Sequence, residues 1–274
     1  MNIHQFANEA LGTRSDLCVR LARSAREVAI AQALRFRVFY EELNAVADQV
    51  SLGSSLDSDR FDAFCDHLIV VKQTSGIADE RFRLDDGEMV GTYRLLRQNV
   101  AAENGGFYTQ GEFDLGPLLA AKAELNFLEL GRSCVLKSFR TKPVIELLWQ
   151  GIWNYVRHYK LDVMLGCASL EGANPDVHKN TLNFLAQNSA APPEWSVRAL
   201  PHRHIEMKSA NGVTDAKTAL KELPPLIKGY LRLGCYIGDG AVVDKQFNTT
   251  DVFIILPVSN INPRYFAHFG NPND

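Results

Sequence analysis

The spacing of apolar positions divides the chain into recognisable elements. LCVRLA at 17–22 alternates as a strand does, and Ser24-Ala-Arg-Glu27 has the form of a capping box, in which serine and glutamate satisfy the free N–H groups at a helix start. The helix is expected to run to about Glu42, followed by a Ser-, Asp- and Gly-rich loop over 51–64. HLIVVKQ (67–73) and MVGTYRLL (89–96) read as strands of a hairpin joined by the polar stretch 74–88. In the next strand, FLELGRSCVL (127–136), Glu129 faces away from Leu128 and Leu130 and lies near Arg132 after a kink at Gly131. Ile145, Leu148, Trp149, Ile152, Tyr155, Val156 and Tyr159 fall at helical spacing behind Pro143, which suits a first turn. A strand at 163–169 follows at once, and strand–helix–strand with a short connection implies a parallel or split central sheet.

Further along, the pattern predicts a short helix at 176–185, a strand at 197–206 and a polar loop over 209–222. A helix at 225–233 should end at Gly234, and FIILPV (253–258) should be a buried strand. Gly238-Asp-Gly240 reads as a turn. With no internal repeat or low-complexity linker, residues 1–274 are expected to form one α/β domain. Its core would span about 15–206, with 207–274 as an extension packed on it.

Composition narrows the class. The 274 residues are 46% hydrophobic and 22% charged, an ordinary globular mix that needs no metal or disulfide to hold a core. A net charge of −3 argues against a general nucleic-acid binder. The sequence shows neither a bilayer-length apolar run nor a basic–apolar leader, and its five cysteines have no CxxC spacing, so a cytoplasmic protein with reduced thiols is expected. Charge is uneven: six arginines lie within 1–40, seven acids within 41–66, and six basic residues between Arg132 and Lys160. Such patches would suit a cationic small substrate beside an acidic macromolecular partner.

Candidate chemistry centres on Glu129-Leu-Gly-Arg132. A carboxylate within an apolar strand must face a cleft or find a partner, so it is either a proton acceptor or half of a Glu–Arg ion pair. Asp62 and Asp66, four apart, could hold an amine; no metal is expected, because no confirming histidine spacing accompanies them. His202 and His204 alternate on the expected 197–206 strand and are read as ordinary surface or core residues. Cys134 has no histidine nearby in sequence to activate it and is read as a packing residue. Neither GxSxG nor GxxxxGK[ST] occurs.

Arg37-Val-Phe39, Phe61-Asp62, Cys65-Asp66-His67, Val90-Gly-Thr-Tyr-Arg94-Leu-Leu and Leu128-Glu129-Leu-Gly-Arg132, in this order, resemble the acyl-homoserine-lactone-synthase branch of the GNAT superfamily. The stretches FYTQGEFDL (107–115), ELLWQGIWNY (146–155), LPPLIKGYLRLG (223–234) and TTDVFIILPVSNINPRYFAHF (250–269) are more similar to the ornithine N-acyltransferases of ornithine-lipid synthesis. The resemblance runs from about residue 15 to 270. It implies a GNAT mixed central sheet with splayed strands flanked by helices. It also implies transfer of a 3-hydroxylated fatty acyl group from acyl carrier protein to the α-amine of L-ornithine, with Glu129 as general base. Arg37, Asp62, Asp66, Arg94 and Arg132 would shape the substrate site; charge complementarity gives the ornithine cation to Asp62 and Asp66, and its carboxylate to Arg94 or Arg132.

Where coenzyme A enzymes carry a glycine-rich pyrophosphate loop, this chain has Lys137-Ser-Phe-Arg140-Thr-Lys142-Pro143. That favours a donor whose phosphopantetheine is carried on acyl carrier protein, with no separate cofactor and with Arg140 and Lys142 as docking residues. The amphiphilic product implies transient contact with an anionic inner-membrane surface, for which the arginine-rich segment 14–40 is the candidate. The alternatives are an acyltransferase for another amino acid such as glycine or glutamine, a lactone synthase, a membrane-active toxin, or an inactive GNAT-like binding module.

Overall fold

A computed structural model describes residues 6, 9–73, 76–209 and 215–262, and in it the chain is mixed α/β. The chain forms two compact units. The described part of the first lies within Met1–Val100 and Leu130–Lys160, and that of the second within Ala101–Glu129 and Leu161–His268.

In the first unit, β1 (Gly12–Arg14), β2 (Leu17–Leu21), β3 (Asp66–Lys72) and β5 (Gly87–Arg97) form an antiparallel run, with the short β4 (Arg83–Leu84) also pairing with β5. β6 (Phe113–Asp114) belongs to the second unit, and β7 (Phe127–Val135) begins there and continues into the first, where it neighbours β5. In the second unit, Phe127–Glu129 of β7 pairs in parallel with the start of β8 (Val163–Glu171). β9 (Arg198–Ala199), β10 (Tyr236–Asp244) and β11 (Thr249–Pro257) complete the run: β8 is antiparallel to β11 over its whole length, β11 to β10, and β9 joins β10 to β6.

The helix Ala25–Phe36 starts as expected, with the Ser24 hydroxyl accepting from the Glu27 N–H and the Glu27 carboxylate from the Arg23 N–H. Beyond Phe36 it widens into a π-helical turn, Arg37–Glu42. Ala31, Leu34 and Val38 pack against Ile69, Val71, Met89 and Cys134 in the core of the first unit.

The helix Lys142–Tyr159 buries Val144, Leu147, Leu148, Gly151, Ile152, Tyr155 and Val156. Leu148, Ile152, Tyr155 and Val156 are buried as the spacing predicts, while Val144, Leu147 and Gly151 extend the stripe and Ile145 is 42% exposed. The helix packs on β1, β2 and β3, and the approach at Gly151 is close: a Cβ there would lie 2.7 Å from Val19 Cγ2 and 3.0 Å from Leu68 Cδ1. Gly151→Ala is therefore expected to destabilise the protein by about 1–3 kcal/mol through overpacking, measurable as a lowered urea midpoint with unchanged slope.

Several expectations differ from the structure. The 51–64 stretch overlaps the helix Gln49–Ser54, capped by Asp48, and contains the turn Arg60–Ala63, capped by Asp59. Within 197–206 only β9 and one bridge at Ile205 are extended; Pro201, with no N–H to donate, opens a turn carrying His202, so the two histidines do not alternate on a strand. Gly238-Asp-Gly240 lies inside β10, where the register with β11 shifts between Ile237 and Ala241 and Gly240 takes φ +87°. The polar stretch 209–222 contains the helix Ala216–Glu222, capped by Asp215; residues 210–214 lie outside the described part. The strained position in β7 is Arg132, with φ 52°, rather than Gly131. Among the described residues no helix is long and apolar enough to cross a membrane.

Candidate functional site

In the first unit, the charged residues singled out in the sequence join others that it did not reveal. The Asp59 carboxylate accepts from Phe61 N–H while Asp62 Oδ2 accepts from Asp59 N–H at 3.0 Å, which fixes the turn carrying both acids. Arg35, 1% exposed on the helix Ala25–Phe36, donates from Nε to Asp57 at 2.7 Å and from both terminal nitrogens to Asp62 at 2.9 and 2.8 Å. Arg94 on β5 donates to Asp59 at 2.7 Å and to Asp62 at 3.2 Å. Arg132 on β7 lies 3.3 Å from Asp57 and 3.2 Å from Asp59.

Three arginines thus face three aspartates, and the cluster is closed in charge. Burial pushes the Asp62 carboxyl up, but the Arg35 hydrogen bonds and the Arg35 and Arg94 charges outweigh it and hold the group well below the usual range. Neighbouring His67 is held neutral by burial and by Arg35, with Nε2 3.2 Å from the Asp62 carbonyl.

Asp66 does not join Asp62. Its carboxylate accepts from the Tyr155 hydroxyl at 2.5 Å and pairs with Arg97 at 3.5 Å. Arg37 pairs with Glu41 one turn along its own helix. The sequence reading gave the ornithine cation to Asp62 and Asp66 and its carboxylate to Arg94 or Arg132; in the structure Asp62 pairs with Arg35 and Arg94, and Arg132 with Asp57 and Asp59. Arg140 is bonded to Glu42 at 2.7 Å and to the Val135 carbonyl at 3.0 Å, and Lys142, 84% exposed, lies 3.5 Å from Glu146. Within 14–40, Arg20 is buried on Glu27 and Asp86, and Arg35 is buried as described, so neither offers charge to a membrane.

In the second unit, Glu129 projects from a buried strand onto the turn Tyr108–Gly111. Tyr108 N–H donates to Oε2 at 2.9 Å and Thr109 N–H to Oε1 at 2.7 Å. Two backbone amides fix the plane of this buried carboxylate, and an ionised carboxylate has acceptor capacity for more than two donors. Nearby are three further buried carboxylates that the sequence reading missed: Glu112, Asp244 and Asp251. Their strand and turn positions carry no local signal, since only tertiary pairing brings them together.

All five cysteines are free; burial pushes the Cys134 thiol well up, in keeping with a packing role.

A family model described as an acetyltransferase (GNAT) domain matches residues 34–150. The chain is 47% identical over 261 residues to an L-ornithine N(alpha)-acyltransferase of Brucella abortus, covering 95% of this chain and 91% of the relative. It is 46% identical over 267 residues to the protein of the same name from Rhizobium meliloti, covering 96% and 88%. Among solved structures, FeeM, an N-acyl amino acid synthase from uncultured soil microbes, aligns with a TM-score of 0.47 at 13% identity, covering 89% of this chain and 91% of that one.

Proposed function

Because the chain belongs to the L-ornithine N(alpha)-acyltransferase family of GNAT proteins, we propose that it transfers a 3-hydroxyacyl group from acyl carrier protein to the α-amine of L-ornithine. The observation that carries this reading is 46–47% identity sustained over 95–96% of the chain to relatives of that name. Glu129 accepts a proton from the α-ammonium, directly or through water. The freed amine attacks the thioester carbonyl, the C–N bond forms, the C–S bond breaks, and the pantetheine thiolate leaves and is reprotonated. The closed Arg35–Arg94–Arg132 cluster serves as a rigid support for the first unit rather than as a binding surface.

The donor brings its own phosphopantetheine, so the reading invokes no separate cofactor. Acyl carrier proteins are acidic, and Lys137, Arg140 and Lys142 present positive charge at the start of the helix Lys142–Tyr159. Lys137→Glu combined with Lys142→Glu is expected to raise KM for the acyl carrier protein donor about tenfold at low salt. The difference should shrink towards 1 M salt, where the screening length is about 3 Å. Steady-state kinetics at two ionic strengths checks this. The product is amphiphilic, and the enzyme meets the cytoplasmic membrane surface transiently to release it.

Comparison of 3-hydroxyacyl carrier protein with the matching coenzyme A thioester, with ornithine as acceptor, tests the whole reading. N-acylornithine formed with at least tenfold higher kcat/KM from the carrier protein is expected. Equal use of both donors would remove the carrier-protein assignment, and no product from either would remove the function.

A further inference from the structure

The buried carboxylates of the second unit lie beside the turn that holds Glu129. Glu112 closes that turn, and Arg203 reaches its Oε1 at 3.1 Å while Cys167 Sγ lies 3.2 Å from Oε2. Asp244, at the end of β10, uses Oδ1 to accept from Gln246 N–H at 2.8 Å and Phe247 N–H at 3.0 Å. Asp251, on β11, is 6% exposed, and its Oδ1 is buried without a hydrogen-bond partner. One carboxylate oxygen from each of the three lies within 4.8 Å of the others.

Arg203 pairs with Glu112, whereas among the described residues the buried Asp251 Oδ1 has no hydrogen-bond partner. Burial first, and then the Glu112 charge, push the Asp251 carboxyl up to about 7.

The spacing suits an ammonium. The three N–H bonds of an ammonium point at tetrahedral angles, so acceptors about 2.8 Å from the nitrogen lie roughly 4.6 Å apart, inside the limit within which these oxygens fall. A divalent ion suits the site less, because hard cations require six or more close oxygen ligands, whereas an ammonium needs three acceptors. The link to Glu129 is short: Thr109 N–H donates to Glu129, Thr109 Oγ1 lies 3.7 Å from Cys167 Sγ, and Cys167 meets Glu112. The two nitrogens of an extended ornithine are roughly 6 Å apart from bond lengths alone, so one hydrogen bond at each end lets the molecule reach on the order of 12 Å.

We propose that Glu112, Asp244 and Asp251 form the recognition site for the side-chain ammonium of the acceptor amino acid, setting the preference for ornithine while its α-amine faces Glu129. The proposal rests on the acyltransferase reading above and deepens it.

The experiment compares L-ornithine with L-norvaline, which has the same carbon skeleton without the terminal amine, in the wild type, Asp251→Asn, Asp244→Asn and the conservative Asp251→Glu. The wild type is expected to favour ornithine by at least about 100-fold in kcat/KM. Asp251→Asn and Asp244→Asn should reduce that ratio by about 10–100-fold, mainly through KM for ornithine, and Asp251→Glu should restore part of it. Equal proportional losses on both acceptors, or an unchanged ratio, would overturn the site.

Calorimetric titration of ornithine without donor separates this from the function itself. Binding by the wild type that Asp251→Asn abolishes supports the site even if no acyl transfer occurs, whereas equal binding by both proteins overturns it. Stabilisation of the wild type alone by Mg²⁺ or Ca²⁺, with unchanged ornithine binding, would overturn it in favour of a metal site.

Discussion

Glu129→Gln is expected to lower turnover on ornithine by about 10²–10⁴-fold, the range lost when a positioned general base is removed. The glutamate is buried on a strand, and each of its oxygens accepts one backbone N–H, from Tyr108 and Thr109. Glutamine matches the shape but turns one acceptor into an NH₂ group, which then faces an amide donor. That mismatch is expected to cost about 1–3 kcal/mol of stability as well. Turnover at saturating substrates and the unfolding midpoint are therefore measured together. A variant that folds and keeps wild-type turnover would remove Glu129 from the chemistry and leave it as an anchor for the Tyr108–Gly111 turn.

Arg35→Met is expected to be among the most destabilising single substitutions in the first unit, by about 3–5 kcal/mol, because it leaves Asp57 and Asp62 as buried charges without their central partner. Chemical denaturation reads this directly. The same cluster gives an acid dependence with a definite sign. Asp62 has a lower pKa folded than unfolded, so its contribution is fully present above pH about 4, the ordinary range for aspartate, and is lost as the pH falls below it. Asp62→Asn should flatten that part of the stability curve. An unchanged acid midpoint would mean that the arginines do not stabilise the ionised acid.

Regular elements were readable wherever one periodicity dominated. The spacing behind Pro143 marks the helix Lys142–Tyr159, and HLIVVKQ marks β3, because each buries one face against a sheet or both faces within it. The helix Ala216–Glu222 escaped notice because its residues are mostly polar and its start signal is the single cap Asp215. Gly238 and Gly240 looked like a turn, since glycine serves bulges and turns equally well.

The charged sites divide in the same way. Glu129 stood out as a carboxylate in an apolar strand. The partners of Asp62, by contrast, depend on tertiary placement: in the sequence Arg35 is one of six arginines within 1–40, and the structure pairs it with Asp57 and Asp62 of the 57–62 segment. Glu112, Asp244 and Asp251 come from a turn and two strands far apart in sequence, so no local spacing announces them.

The acceptor is settled most directly by mass spectrometry of the product formed when wild-type enzyme and a 3-hydroxyacyl carrier protein meet an equimolar mixture of free amino acids. Nα-acylornithine should dominate. A dominant acyl-glycine or acyl-glutamine would contradict the assignment of ornithine as the substrate, and with it the recognition of a side-chain ammonium by Glu112, Asp244 and Asp251.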